Sequence, residues 1–301
     1  MDRRTLETLS PRTIHVNTAS GHDSFWDLVD AVLLINLDQR EDRWTQFQQA
    51  VATIIPPGKL HRISAVLGRE LPGYGTTPWF RGRKRDLTWA ARAGCTLSHR
   101  RALATAREHG WRTVLILEDD VILDESFEQS LPAIAAALAR NNDSWHICYL
   151  GFTDPVAPCR ALDDIDATHR MFEICGCSTT HAYLVKPQPR DWILAQLPDE
   201  SSIWPWLSRH RAIDRWYKHV LSRHFQVTCV SPSVMNQQAG FSDIARRETS
   251  YLETGGHLLH VPDSLARTSA FPQRRRLRTG WTYLLQLRDT CRGFGKRLRG
   301  F

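Results

Sequence analysis

The sequence has no apolar run of the ~20 residues that a membrane span requires. Its first 30 residues contain no apolar core of the kind found in secretory signals, so we expect a cytoplasmic protein. The seven cysteines are scattered without the spacing of a disulfide framework, which favours reduced thiols. Internal repeats and low-complexity tracts are also lacking. These features exclude membrane-spanning, disulfide-rich and repeat proteins and leave an ordinary globular one.

The positive charge is concentrated in one segment. The 301 residues carry a formal net charge of +7. Residues 271–301 alone, with eight Arg, one Lys and one Asp, carry +8, so the other 270 residues carry −1. The rest of the chain is therefore nearly neutral, whereas a nucleic-acid enzyme more often carries positive charge along its cleft. We expect an N-terminal leader (1–30), a catalytic domain (31–250) and a basic amphipathic tail (251–301), with nucleic acid an unlikely partner.

Short apolar runs alternate with helical patterns between the leader and the tail. Strands are predicted at 31–37, 60–66, 113–117, 145–151, 181–186 and 225–232, and helices at 41–51, 94–111, 130–140 and 211–224. Residues 68–86 are predicted to form a long loop, and the section after residue 151 looks irregular. This alternation predicts an α/β sheet covered by helices, which binds ligands at the carboxyl ends of its strands.

Three acidic residues interrupt one predicted strand. In TVLILEDDVIL (113–123), Glu118, Asp119 and Asp120 follow an apolar run, although carboxylates are seldom buried without a partner. Because residues two apart in an extended chain share a face, we expect Glu118 and Asp120 to point into one cleft and Asp119 to point elsewhere. Such a pair suits Mg²⁺ or Mn²⁺ in contact with a phosphate. The alternative is a solvated strand end.

A second strand end carries arginines. INLDQREDRW places Asn36 at the end of the first strand, with Arg40 and Arg43 shortly after it. Arginine side chains suit phosphates or a buried Asp partner, and surface ion pairs at the start of a helix are the alternative.

AGCTLSH is predicted to open a helix at Gly94 or Cys95. The free backbone N–H groups of a first helical turn form a ready anion site. Ser98 and His99 would lie in that turn. A histidine in this position can equally be a hydrogen-bonded structural residue.

Taken in order, INLDQREDR, GCTLSH, LEDD, HAYLV and SPSVMNQQAGFSDI resemble glycosyltransferase family 25. That family includes bacterial lipopolysaccharide galactosyltransferases and the related collagen-modifying galactosyltransferases. The resemblance runs from about Val32 to Ile244. It implies a GT-A-like nucleotide-binding α/β fold with a mostly parallel central sheet flanked by helices. It also implies a UDP-sugar donor, a divalent metal and inversion at the anomeric carbon.

The resemblance also assigns residues by position. Glu118 and Asp120 match the ends of the family's metal motif, with Asp120 the direct ligand. The donor-side segments are matched by Asn36, Arg40, Arg43, Gly94, Ser98 and His99.

An inverting transfer needs one base on the acceptor side, worth roughly 10²- to 10⁴-fold in rate. The acidic residue of the family's P-[VI]-D helix matches Asp214, although Ala212 replaces the proline, and FSDI supplies Asp243. Asp214 is the first candidate and Asp243 the second. The alternative for Asp214 is a surface ion pair with Arg211 or Arg215.

The tail contains an apolar cluster, WTYLLQL (281–287), between two groups of arginines. A basic amphipathic segment can lie on an anionic membrane surface, here the inner face of the membrane. The alternatives are a helix packed on the catalytic body, and RNA binding.

These patterns together predict a Mn²⁺- or Mg²⁺-dependent enzyme that moves a hexose, with galactose the first expectation, from a UDP-sugar to a lipopolysaccharide or other surface-glycan acceptor. A nucleotidyltransferase, which also uses acids and a metal at strand ends, is one alternative. A non-catalytic RNA- or membrane-binding module that uses the basic tail is another.

Overall fold

The structure is a computed structural model that describes residues 21–238, 240–242, 247–249, 258–266 and 270–301. The strands are β1 (Ala31–Asn36), β2 (Leu60–Ser64), β3 (Val114–Glu118), β4 (Val121–Leu123), β5 (Ile147–Thr153), β6 (Arg160–Asp164), β7 (Arg170–Ile174), β8 (Ser178–Val185), β9 (Val227–Ser231), β10 (Met235–Gln237), β11 (Gly240–Ser242) and β12 (Arg247–Thr249). The α-helices are α1 (Gly21–Leu28), α2 (Glu41–Val51), α3 (Asp86–Glu108), α4 (Phe127–Arg140), α5 (Pro187–Gln196), α6 (Ile203–His210), α7 (Ile213–Trp216), α8 (Ser222–His224), α9 (Asp263–Ala266) and α10 (Phe271–Arg299). Short 3₁₀ helices occupy Gly68–Glu70 and Asn142–Ser144, and a π-helix, Tyr217–Leu221, joins α7 to α8.

Eight strands form one central sheet in the order β2-β1-β3-β8-β5-β9-β7-β6. β1 is parallel to both β2 and β3, and β5 is parallel to β9. β8 and β7 run against their neighbours, so six of the eight strands point the same way. The predicted α/β class, with a mostly parallel sheet flanked by helices, is confirmed.

The apolar runs of β1 and β3 form strands because both of their faces are covered, as is typical of parallel strands inside α/β folds. Alternate residues of β1 enter different cores. Leu33 and Ile35 pack with α3, α5 and α6 on one side, and Val32 and Leu34 pack with α1, α2 and α4 on the other. Because β1 and β3 are parallel and in register, with Ile35 opposite Glu118, their polar carboxyl ends meet at one edge of the sheet.

Two expectations about the elements are wrong. The helix expected to open at Gly94 or Cys95 begins at Asp86, so both residues lie in its interior. The section after residue 151 is not irregular, because it forms the antiparallel pair β6 and β7 at the edge of the sheet. Within the predicted leader, Gly21–Leu28 form α1, whose Phe25 and Trp26 are buried in the core beside α4.

Within the tail, Phe271–Arg299 form one long helix, α10, that packs on the body beside α6. The Arg215 guanidinium pairs with the buried Asp289 carboxylate at 2.7 Å, and Arg223 donates to the Thr282 hydroxyl at 2.8 Å. The packed-helix alternative therefore describes the inner face of α10. No helix in the described part of the chain is long and apolar enough to cross a membrane.

Candidate active site

The acids at the end of β3 line one cavity of about 180 Å³ beneath α3. Glu118 is the most firmly held of them. Its Oε1 atom accepts a hydrogen bond from the Thr180 hydroxyl at 2.9 Å and lies 3.2 Å from Nε2 of the buried His99. Burial acts to raise the pKa of Glu118, but the hydrogen bonds and charge of its histidine neighbours outweigh it and hold that pKa below the ordinary value.

His99 is fixed by a chain of buried hydroxyl groups. Its Nδ1 atom lies 3.1 Å from the Tyr183 hydroxyl, which in turn lies 3.2 Å from the Tyr217 hydroxyl. With Nε2 towards Glu118 and Nδ1 towards Tyr183, both ring nitrogens of His99 are held. His99 therefore orients a carboxylate of the site.

Asp119 lies in the same cavity, so the expectation that it points elsewhere is wrong. Its two carboxylate oxygens accept hydrogen bonds from the Asn36 amide at 2.6 Å and the Arg43 guanidinium at 2.8 Å. The reason is that residues 119 and 120 form a turn between β3 and β4, where the alternation of an extended chain does not apply. Asn36 and Arg43, predicted as donor-side residues, are thereby brought to the acids.

Asp120 has the least compensated charge of the three. Among the described residues, its side-chain hydrogen-bond donor is the Gln237 amide, at 3.3 Å from Oδ2. Burial, together with the negative charges of Glu118 and Asp119, raises its pKa from 3.8 to about 7. An excess of carboxylate charge in a partly buried cavity fits a bound cation, and oxygen ligands suit hard ions such as Mg²⁺ and Mn²⁺.

A second group of possible metal ligands also includes Glu118. Cys95, His99 and Glu118 place one ligand atom each within 4.8 Å of one another. Burial and then the Glu118 charge raise the pKa of the Cys95 thiol well above its usual value. The oxygen atoms of the three acids suit hard ions, whereas a set with a thiol and an imidazole suits softer ones such as Zn²⁺.

Arg40, the other donor-side arginine, is directed towards Asp42, whose carboxylate it contacts with both Nε and Nη2, at 3.0 and 2.8 Å. This hydrogen bond from Arg40 lowers the pKa of Asp42 to about 2. The surface ion pair that the sequence left open is present, and Arg40 is not among the residues that line the cavity.

Gly94 and Ser98 hold the wall of the cavity together. A Cβ on Gly94 would lie 2.3 Å from the Val66 carbonyl oxygen, and one on Gly68 would lie 1.7 Å from the Ala90 carbonyl oxygen. The Ser98 hydroxyl accepts the Val66 N–H at 2.8 Å and donates to the Gly94 carbonyl. Since these residues lie inside α3, their N–H groups serve the helix, and the predicted anion site at a helix start is wrong.

Asp214 lies in α7, after Ala212 in extended conformation. Its Oδ1 atom accepts the backbone N–H of Arg215 at 2.7 Å, whereas the Arg215 guanidinium binds Asp289. The alternative of an ion pair with Arg211 or Arg215 is therefore not observed. Asp214 is not among the residues that line the cavity, although its charge acts on the Cys95 thiol, which does line it. Asp243 lies outside the described residues.

Three contributors to the site were not predicted. Thr180 and Tyr183 come from β8, within or beside the HAYLV motif, and Gln237 comes from β10, which pairs with β4. Their motifs were recognised, but a hydroxyl or amide in a strand gives no local signal of its partner.

Residues 29–151 match the family described as glycosyltransferase family 25 (LPS biosynthesis protein). The predicted resemblance to this family is confirmed over these residues. The family 25 match contains β1, α3 and the three acids of β3 and its turn, and it spans less than half of the chain. It supports the prediction of a glycosyltransferase.

No curated protein sequence matches the chain. Two solved structures are similar at low level. One is mannose-1-phosphate geranyltransferase from Thermus thermophilus, with 12% identity, coverage of 67% of this chain and 73% of that one, and a TM-score of 0.33. The other is A197 from STIV, with 12% identity, coverage of 67% and 83%, and the same TM-score. Likeness at this level supports no conclusion about function.

Proposed function

We propose that this chain is a metal-dependent, inverting glycosyltransferase with a GT-A-like fold. It moves a hexose, with galactose the first candidate, from a UDP-sugar to a lipopolysaccharide or other surface-glycan acceptor. The observation that carries the proposal is the meeting of Glu118, Asp119 and Asp120 with Arg43 in one cavity at the carboxyl edge of the sheet. The family match to the same segment supports it.

The acids and Arg43 would have different roles in binding the donor. Asp120, with Glu118, would hold the divalent cation, which when bound offsets charge on the departing diphosphate. Arg43 is already anchored by Asp119 at 2.8 Å, so its position is fixed before the substrate arrives. The apolar wall of the cavity, which includes Leu37, Val66 and Leu87, suits the flat face of a nucleoside.

Asp214 is the proposed general base. It would accept the proton of the acceptor hydroxyl as that oxygen attacks the anomeric carbon from the face opposite the diphosphate. Asp214→Asn should lower kcat by roughly 10²- to 10⁴-fold and leave the KM of the UDP-sugar nearly unchanged. Equal kcat values in the variant and the wild type would exclude this role.

The decisive experiment is a screen for UDP release over several UDP-sugars, with and without Mn²⁺. We expect metal-stimulated release with one or more donors and its loss in Asp120→Ala, with the melting temperature showing that the variant is folded. Glu108→Gln, an exposed change at the far end of α3, is the control. Release of pyrophosphate from a nucleoside triphosphate would instead support the nucleotidyltransferase alternative.

We also propose an anionic membrane surface as a partner, through the outer face of α10. Large apolar side chains recur along this face at helical spacing, and each is more than half exposed: Leu277, Trp281, Leu284, Leu287, Phe294 and Leu298. Exposed arginines, among them Arg274 and Arg288, flank them. Apolar side chains bordered by basic ones are typical of helices that lie in the membrane interface.

Replacing Leu284 and Leu287 together by Glu should abolish binding to vesicles that contain phosphatidylglycerol. UDP release in solution should be unchanged, because neither residue contacts the cavity. Leu258→Glu, an exposed leucine outside α10, is the matched control. Vesicle binding that survives the double change would refute the membrane role.

A further inference from the structure

A second cavity lies between the start of α3, the end of α6 and the last turns of α10. Its volume is about 640 Å³, and it is lined by seven basic side chains and a single carboxylate, that of Asp289. Trp89 forms part of its wall. The seven basic residues are Arg83, Arg85, Arg209, Arg211, Arg292, Lys296 and Arg299. We call this cavity the cationic pocket.

The positive charge of the cationic pocket is not balanced by the protein. Asp289 is already shared between Arg215, at 2.7 Å, and Arg288, at 3.1 Å. Burial, followed by the charges of Arg211, Arg92 and Arg85, lowers the pKa of Lys296 to about 8. The cations therefore repel one another, and a bound anion would relieve this repulsion.

Several of these side chains are not used by the fold. Arg83 is the exception, because it donates to the backbone carbonyls of Arg299 and Phe301. Within the described part of the chain, the guanidinium groups of Arg85, Arg211 and Arg292 make no hydrogen bond or ion pair, and all three residues are exposed. Arg211 also has φ of +73°, a backbone conformation that costs free energy in any residue except glycine. Strain of this kind is often retained at binding sites.

The cationic pocket and the proposed active site lie next to each other along α3. Trp89 lines the cationic pocket and Cys95 lines the carboxylate cavity, with about 9 Å of helix between them. Arg92 lies between Trp89 and Cys95 in α3. Because residues three apart in a helix share a face, the three side chains lie on one side of it. The Arg92 guanidinium is close enough to both Arg211 and Asp214 to interact electrostatically with each.

We propose that the cationic pocket binds a phosphate group carried by the acceptor glycan, so that a neighbouring sugar hydroxyl lies beside Asp214. This inference rests on the proposed function and adds the chemical class of the acceptor, a phosphorylated sugar. Arginine guanidinium groups match phosphate oxygens in pairs, which gives both affinity and orientation.

The test uses fructose 1,6-bisphosphate as the probe and the full chain in EDTA at low ionic strength, measured by calorimetry. We expect the wild type to bind it, and the double variant Arg85→Gln, Arg211→Gln to bind roughly tenfold more weakly or worse, because charge-assisted hydrogen bonds are lost. The control is Arg107→Gln with Arg297→Gln. It removes the same charge from exposed positions on α3 and α10 outside the pocket, and it should bind like the wild type.

Equal affinity in the wild type and the pocket variant, or no binding by a wild type with a normal melting temperature, would overturn the proposal.

Binding to phosphatidylglycerol vesicles separates a glycan phosphate from a lipid headgroup. The pocket variant should retain vesicle binding, since neither change touches the outer face of α10. Loss of vesicle binding with unchanged bisphosphate affinity would assign the pocket to a headgroup and refute the acceptor role. Because the titration involves no sugar transfer, it can succeed even if the UDP-release screen fails.

Discussion

The three carboxylates at the end of β3 differ in how much of their charge the protein balances. Glu118 has the His99 ring and the Thr180 hydroxyl, and Asp119 has the amide of Asn36 and the guanidinium of Arg43. Asp120 has a long hydrogen bond from Gln237. The residue with the weakest protein partner is therefore the one with the greatest need of an external cation.

This imbalance predicts an unusual pH dependence. The pKa of Asp120 in the folded protein is about 7, above its ordinary 3.8, so the folded state binds a proton that the unfolded chain releases. Stability should fall as pH rises between these values, and the penalty should be complete above pH 7. In EDTA at pH 8, Asp120→Asn should be more stable than the wild type by roughly 1–3 kcal/mol, allowing for partial exposure.

Urea unfolding at about pH 3 and at pH 8 checks this prediction. The difference between the two proteins should nearly vanish at the lower pH, where the wild-type carboxyl is mostly protonated in both states. Adding Mn²⁺ at pH 8 should stabilise the wild type and not the variant, because the ion binds the folded state. A wild type that is more stable than Asp120→Asn in EDTA at pH 8 would contradict the assignment.

The close approach of Gly94 to Val66 predicts a steric effect. Gly94→Ala would press a methyl group against the Val66 carbonyl oxygen and should lower the free energy of unfolding by about 1–3 kcal/mol. Gly280→Ala is the matched control on α10, where nothing lies within 4 Å of the added carbon. There the change should stabilise by about 0.5–1 kcal/mol, since alanine favours helices. Thermal unfolding measures the stability of both variants. Equal effects of the two substitutions would contradict the predicted clash at Gly94.

At the scale of elements, Asp289 is one of the polar links between α10 and the body. Asp289→Asn would leave the Arg215 guanidinium next to other cations without its carboxylate, and should cost about 1–3 kcal/mol. Urea unfolding measures this cost. Asp263→Asn, an exposed acid in α9, should cost nothing measurable. Similar losses in both variants would show that the buried ion pair is not the cause.

The sequence predicted the buried elements better than the edge ones. β1, β3, β5, β8 and β9 were found because continuous apolar runs mark strands covered on both faces. β6 was missed because its residues, Arg160–Asp164, are mostly exposed and charged and leave no apolar pattern. The first turns of α3 were missed because a glycine normally marks a helix end, whereas Gly94 serves a contact between α3 and the loop at Val66.

The sequence predicted the part of the candidate site that depends on strand order, and it missed the part that depends on pairing between distant strands. Parallel strands bring their carboxyl ends to one edge, so the meeting of Asn36 with the acids follows from strand order alone. The contributions of Thr180 and Gln237 depend on β8 and β10, whose pairing with distant strands has no local signal in the sequence. The direction of Asp119 depends on a turn within an apparently continuous strand.

At the scale of the whole molecule, the charge is divided between two parts. Residues 271–301 carry +8, and the remainder of the chain is close to neutral. This division gives the chain a basic side on which the exposed apolar face of α10 also lies, and it should orient the protein on an anionic surface.

The charge division predicts a strong effect of salt on membrane binding. Raising the salt from about 50 mM to about 500 mM should weaken binding to anionic vesicles at least tenfold, because each basic residue near the surface contributes about 1 kcal/mol and salt screens it. Vesicles of neutral lipid should bind weakly at both concentrations. Co-sedimentation measures both, and binding that ignores salt and lipid charge would remove the electrostatic part of the membrane proposal.

The aromatic residues that flank α10 fix its position. Phe271 lies under the Arg160 guanidinium, and the buried Phe301 stacks on Trp89 with ring centres 4.2 Å apart. Because residues at both ends of α10 pack against the body, a bilayer that held its outer side would hold the carboxylate cavity at a fixed height above the lipid. Under the proposed function, we expect the enzyme to act on glycans whose growing end stands that far from the lipid and not on shorter or longer ones.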